Sequence, residues 1–256
     1  MSNLRRIINY IRFGIRDPLA ALNFVMFGRN SVNLIVLKRL GKQLGASNKL
    51  IDELYHEIRN NDKFNGYVSS ALAGLNFLGW IIFPEGLYIL VRILKPTYVV
   101  ETGVAADVSS AYLLMGLEMN NKGESFSIDL PNYELEYFPK LGLKPVSIIP
   151  KEKNVGFAIP TWLKHRWHPM LGNSREILPK LLNELKTIDK FLHNSEHTYD
   201  NMIFEYHVAW NHLKSGGLLL SDDNIFMNRA FEDFAKEVKA RPILLYFAGW
   251  GVIVKQ

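Results

Sequence analysis

The sequence predicts an α/β protein: a doubly wound, mostly parallel seven-stranded sheet with a C-terminal antiparallel hairpin, preceded by a helical appendage. Three observations carry this. The stretch 99–110, VVETGVAADVSS, is apolar, ends its strand pattern on Glu101 and turns through Gly103 into a helical pattern, as a strand covered on both faces does when it feeds a helix. Beyond it, short β-rich runs alternate with helical patterns of about 10 to 15 residues, which implies βαβ units. Finally, the β-rich runs 243–247 and 250–254 are joined only by Ala248 and Gly249. That link is too short for a parallel crossover, so the two runs are expected to pair as a hairpin.

In chain order, residues 1–65 form the appendage and 66–256 the main domain. Leu4, Ile7, Ile8, Ile11 and Ile15 recur at helical spacing, and a second pattern runs from Leu34 through Leu54 to Ile58. Arg5, Arg6, Arg12 and Arg16 give the first helix the composition of an interfacial membrane helix. Packing on the main domain or on a second copy of the chain is favoured over peripheral membrane contact, because amphipathic helices usually serve packing. The stretch 65–83 reads as an aromatic, glycine-containing loop. Pro84 starts the helix PEGLYILVRILK, and Pro96 stops it. After the opening stretch come a helix over 109–119, a strand over 125–129, an irregular region over 131–167 and a strand over 168–171. A helix over 174–185, a strand over 190–193, a helix over 199–213, a strand over 217–221 and a helix over 228–239 complete the alternation.

Composition narrows the function. The chain has 256 residues, 48% of them hydrophobic, enough for one large core with an appendage. A net charge of +5 is mild for this length, and no nucleic-acid motif accompanies it, so no nucleic-acid partner is expected. The absence of cysteine excludes disulfides, thiolate metal sites and cysteine nucleophiles, and fits a cytoplasmic location. The N-terminus lacks the uninterrupted apolar core of a signal peptide, and charges and Pro84 interrupt the most apolar region, 71–94, so no spanning helix is expected.

The site reading follows from the strand ends. In an open α/β sheet, ligands sit in the crevice at the carboxyl ends of the strands. Gly103 permits the tight turn there, Asp107, Ser109 or Ser110 could cap the following helix, and Asp129 ends the second strand. A lone glycine does not make the G-x-G-x-x-G dinucleotide fingerprint, which argues against a hydride-transfer enzyme.

Five ordered segments, VVETGVAADVSS, SFSIDLP, LGNSREILPKLL, FLHNSEHTYDNMIFEY and GGLLLSDDN, together resemble the class I S-adenosylmethionine-dependent methyltransferases, most closely the small-molecule O-methyltransferase branch with sugar-modifying and catechol-type enzymes. The resemblance covers the chain from about Pro84 onward. It implies S-adenosylmethionine as cofactor and methyl transfer to a hydroxyl of a small molecule, with sugars or sugar-containing intermediates the leading acceptors. It implies that Glu101, Thr102, Gly103, Ala105, Ser109 and Ser110 line the methionine end of the cofactor, with Asp129 on the ribose hydroxyls and Asn173 and Ser174 beside the adenine. His193 is expected either to contact the cofactor or to satisfy backbone groups.

Plain structural roles stand beside these: a strand-end charge for Glu101, a turn before Pro131 for Asp129, an N-cap for Ser174. By the same resemblance Asp222 and Asp223 would ligate Mg²⁺ or another divalent cation, with Asn194 as third ligand where relatives carry aspartate. Asn194 brings no charge, so it would bind such an ion more weakly. His197 is the candidate general base, Glu196 a weaker one, and Asp222 completes the catalytic set. Asp107 replaces the family's usual glycine. Together with Asn194 it favours the alternative, a non-catalytic binding or scaffold protein that keeps the fold. The segment 154–167, NVGFAIPTWLKHRW, is read as a lid shaped by Trp162, Arg166 and Trp167, or as packing against the appendage.

Overall fold

A computed structural model describes residues 22, 25–26, 28–74, 81, 83–104, 108–130, 154–222, 228–245 and 247–256. The expected first helix, Ala105, Asp107 and Asp223 lie outside these residues. The first helices with described bounds are α1 (Arg29–Gln43), α2 (Asn48–Arg59) and α3 (Asp62–Leu72). The last corrects the expected loop. Asn61 accepts a hydrogen bond from the Phe64 amide and caps it, and Phe64, Val68 and Leu72 form its buried stripe at four-residue spacing. Gly66 stands on its open side. This helix runs across the expected boundary between residues 65 and 66.

Pro84 leads into α4 (Glu85–Leu94), and left-handed Lys95 ends it. The sheet then alternates with helices: β1 (Tyr98–Thr102), α5 (Val108–Met119), β2 (Glu124–Asp129), a short 3-10 helix (Thr161–Arg166), β3 (Trp167–Leu171), α6 (Ser174–Leu185), β4 (Ile188–His193), α7 (Tyr199–His212), β5 (Leu213–Ser221), α8 (Ala230–Glu237), β6 (Ile243–Leu245) and β7 (Trp250–Val254). The strand order is β3-β2-β1-β4-β5-β7-β6. The first five strands pair in parallel, whereas β7 runs antiparallel to both β5 and β6. This is the expected parallel sheet closed by a hairpin. The order reverses between β1 and β4, the switch point at which α/β sheets bind ligands.

Each face of the sheet has its own core. On one, α4 and α5 cover Val99, Leu192, Leu218 and Leu220, and Leu37, Ile51, Ile58 and Phe64 of α1, α2 and α3 join the same apolar cluster. On the other, α6, α7 and α8 cover Val100, Phe191, Leu219 and Ile253. Polar clamps fasten the appendage: Tyr88 and Arg92 both donate to Glu57, and Arg59 bridges to Glu85 at 3.3 Å.

The segment 154–167 is packed in place. Ala158, Ile159 and Leu163 are buried in the first core. Trp162 lies edge-on to Tyr67 at 5.4 Å, with the Lys63 ammonium 4.3 Å from its ring. Arg166 donates to Glu118 at 2.8 Å, and the Trp167 indole N–H to Ser127 at 3.0 Å. Lys63 belongs to the expected appendage, whereas Tyr67, Glu118 and Ser127 belong to the main domain, so these contacts support a packed segment, held to both, over a loose lid. Trp162→Ala is expected to lower stability by about 2 kcal/mol through lost apolar burial. Urea unfolding checks this, and a loss near zero would fit a loose lid instead.

Candidate active site

The parallel register brings the predicted strand ends side by side. Thr102 pairs with Ile128 on one side and His193 on the other, and His193 pairs with Ser221. The Asp222 amide donates to the His193 carbonyl at 2.9 Å. Asp129, at the tip of β2, is buried, and its Oδ1 accepts from the Leu130 amide at 2.8 Å. Thr102, Gly103, Asp129, His193 and Asp222 therefore share one edge of the sheet.

Gly103 has a backbone φ of 79°, which L side chains rarely adopt, and its amide donates to the Ile128 carbonyl at 2.9 Å. A Cβ here would lie 2.0 Å from the Asn194 carbonyl oxygen. The missing side chain thus first serves the approach of two strand-end loops to each other.

Glu101 is fully buried, and its two carboxylate oxygens accept from the Ser109 and Ser110 hydroxyls at the start of α5. The carboxylate therefore ties the helix start to the strand, and it is enclosed rather than open to a crevice. Ser109 and Ser110 act through that tie, not as caps. On the same face, Lys190 is fully buried with no hydrogen-bond partner for its ammonium. Burial pushes Glu101 up from its ordinary 4.5 to about 7, against the two serines and Lys190. Burial likewise pushes Lys190 down to about 7, against Glu101.

The sign of the Glu101 contribution follows. A carboxyl whose pKa is raised by folding stabilises the fold most below its unfolded value near 4.5, and that stabilisation is lost as pH rises through about 7. Glu101→Gln lacks this loss, so its melting temperature relative to the wild type is expected to improve between pH 5 and pH 8, within about the range of that shift. A pH-independent difference would contradict the assignment.

On the opposite face lies a second buried carboxylate, Glu205 of α7. The sequence reading missed it, although a signal was present: Glu205 falls within the apolar stripe of Met202, Tyr206 and Ala209. It accepts from Thr102 Oγ1, from Ser195 Oγ at 2.8 Å and from Asn201 Nδ2 at 3.2 Å, and His193 Nδ1 lies 2.7 Å away. His193 and Glu205 side chains are both 0% exposed. Burial alone would raise the Glu205 carboxyl, but the neighbouring His193 and the hydrogen bonds from His193, Ser174 and Thr102 outweigh it and hold it below its ordinary value.

His197 stacks edge-on to His193 with ring centroids 5.2 Å apart. The Nε2 atoms of both rings are buried without a hydrogen-bond partner. Burial, reinforced by His193, pushes the His197 imidazole down to about 3, so it stays neutral at physiological pH and is a weak proton acceptor. Glu196 is exposed. Asn173, not Ser174, caps α6, accepting from the Arg175 amide at 2.9 Å, while Ser174 turns toward Glu205. Among the described residues no group of three or more His, Asp or Glu could hold a metal ion. No described helix is long and apolar enough to cross a membrane.

The sheet order, with its switch point between β1 and β4 and an acidic residue at the tip of β2, is the architecture of the class I methyltransferase fold. Residues 100–224 match the family model described as a methyltransferase domain. Among solved structures, the fold is similar to an S-adenosylhomocysteine-bound methyltransferase from Podospora anserina, with a TM-score of 0.52, 13% identity and coverage of 76% of this chain and 88% of that one. It is similar to an S-adenosylhomocysteine-complexed O-methyltransferase from Bacillus cereus, with a TM-score of 0.51, 15% identity and coverage of 76% and 90%. It is also similar to a caffeoyl-CoA O-methyltransferase assigned in Staphylococcus aureus, with a TM-score of 0.52, 14% identity and coverage of 81% and 98%. Comparison with curated proteins finds no match. These likenesses show that the chain has the fold of the methyltransferases.

Proposed function

We propose that the protein transfers the methyl group of S-adenosylmethionine to a hydroxyl of a small molecule, with sugars or sugar-containing intermediates as the favoured acceptor class. The observation that carries the reading is the convergence of Thr102, Asp129 and His193 on adjacent strand ends at the switch point. Asp129 supplies the acidic β2 tip suited to the ribose hydroxyls. The tie from Glu101 to Ser109 and Ser110 fixes the start of α5 beside the turn. When bound, the cofactor supplies an electrophilic methyl group on a sulfonium. The chain's part is to align an acceptor oxygen with it, which is worth roughly 7 to 11 kcal/mol of barrier in well-oriented reactions. The preference for a sugar acceptor rests on the resemblance of the ordered segments.

Incubation with methyl-labelled S-adenosylmethionine and hydroxyl probes, catechol and a methyl glycoside, tests this by following label into the product. Transfer supports the enzyme. Cofactor binding without transfer favours the binding or scaffold alternative. Asp222, Asp223 and Asn194 are the proposed holders of a divalent ion, and added magnesium and a chelator in the same assay decide whether one assists.

A further inference from the structure

We propose that the chain docks on the surface of an anionic lipid bilayer through an exposed apolar face formed by Leu22, Val25 and Met26, just before α1. This contact is independent of methyl transfer, and it takes the place of the packing role favoured for this region from the sequence.

Leu22, Val25 and Met26 occupy helical positions and are 55%, 81% and 61% exposed. Their spacing of three and four residues puts them on one face of a helix. Gly28, with a φ of 80°, separates that turn from α1, whose own apolar residues Val32, Val36, Leu37 and Leu40 are all buried. One apolar stripe is thus packed and the other is bare. The other large apolar residues exposed among those described, Leu50, Met119, Leu130, Leu171 and Tyr199, are scattered singly along the chain, as is ordinary for a protein surface. Three on one turn are not ordinary.

Charge says what this face meets. Residues 1–51 hold nine lysines and arginines, Arg5, Arg6, Arg12, Arg16 and Arg29 among them, against a single acidic residue, Asp17. That local excess is larger than the net +5 of the whole chain, so residues 52–256 are net negative. Such asymmetry marks a region that meets a polyanion or a membrane surface. The apolar face decides between them. Aliphatic side chains gain nothing from a phosphate backbone, which is held by cations and hydrogen-bond donors, whereas the surface of an anionic bilayer takes up apolar side chains and attracts basic ones, and binding strength grows with both. A second copy of the chain would bring like charge against like. The run 19–27 has Asn23 as its one polar residue, but it is far shorter than the roughly 20 residues that span a bilayer. It therefore suits contact with the surface and not passage through it.

Sedimentation of the full chain with lipid vesicles tests this. Binding is expected to phosphatidylcholine vesicles that carry about one quarter phosphatidylglycerol, and is expected to be at least about tenfold weaker to phosphatidylcholine alone or when salt rises from about 0.1 M to about 0.5 M. Val25→Asp, at an exposed position, is expected to weaken binding by about tenfold or more. The chain has no cysteine, so a polarity-sensitive fluorophore on Met26→Cys reports this face alone. Its emission is expected to shift to the blue on the anionic vesicles. A folded wild type that stays in solution beside those vesicles, undiminished binding by Val25→Asp, or unshifted emission from the vesicle-bound labelled protein would overturn the proposal. A dimer that Val25→Asp dissociates, with no vesicle binding, would overturn it as well and assign the face to a second copy.

Discussion

Gly103→Ala is expected to destabilise the protein by about 3 kcal/mol or more, the upper end of what a non-glycine residue costs in a sparsely populated backbone region. Two penalties coincide. The φ of 79° is strained for alanine, and its Cβ would lie 2.0 Å from the Asn194 carbonyl oxygen and 2.5 Å from Ser195 Cα. Neither side can yield cheaply. The Gly103 amide is tied to the Ile128 carbonyl at 2.9 Å, and the Asn194 amide to the Thr102 carbonyl at 2.8 Å. Relief would require breaking a strand-end hydrogen bond at the switch point, so cofactor affinity should fall with stability. Urea denaturation and cofactor titration on the same sample check both. A variant with wild-type stability would mean that the turn is not built as described.

Glu205→Gln is expected to cost about 3 kcal/mol, the upper end of what leaving buried polar groups unmatched costs. The amide that replaces one oxygen brings its own hydrogens toward groups that already donate, Thr102 and His193 on one side or Ser195 and Asn201 on the other. One buried donor is left facing another. Because Glu205 is held below its ordinary pKa, its contribution is present above the unfolded carboxylate value and lost as pH falls through the lower folded value. The melting-temperature gap between wild type and variant should therefore narrow on strong acidification and stay level from about pH 6 upward. A gap that widens in acid would contradict an ionised Glu205.

These two residues mark what the sequence shows and what it conceals. Gly103 was readable because a glycine between a buried strand and a helix has a recognisable conformational reason. The parallel sheet and its hairpin were readable for a similar reason: period, length and a two-residue link are local properties. The helix Asp62–Leu72 was obscured by Gly66 and its aromatic residues, since neither reveals that Gly66 faces the open side while Phe64, Val68 and Leu72 share the buried one. Glu205 and Lys190 were overlooked because motif reading attends to loops and strand ends. Both instead sit in the middle of an apolar element, where a charge shows its role only when the partner from another element is known. For His197 the residue type suggested a base, but burial and the neighbouring His193, which are tertiary facts, decide its proton affinity. The same holds for Trp162, whose fixed position depends on Tyr67 and Lys63, roughly a hundred residues earlier in the chain.

The central claim is that the edge formed by Thr102, Gly103, Asp129 and His193 is an S-adenosylmethionine site, and isothermal calorimetry with the cofactor tests it most directly. The wild type is expected to bind one equivalent, and Asp129→Ala to bind at least about tenfold more weakly through loss of a charged hydrogen-bond acceptor. Absence of binding heat for the folded wild type across a range of temperatures, or identical affinity in Asp129→Ala, would contradict it.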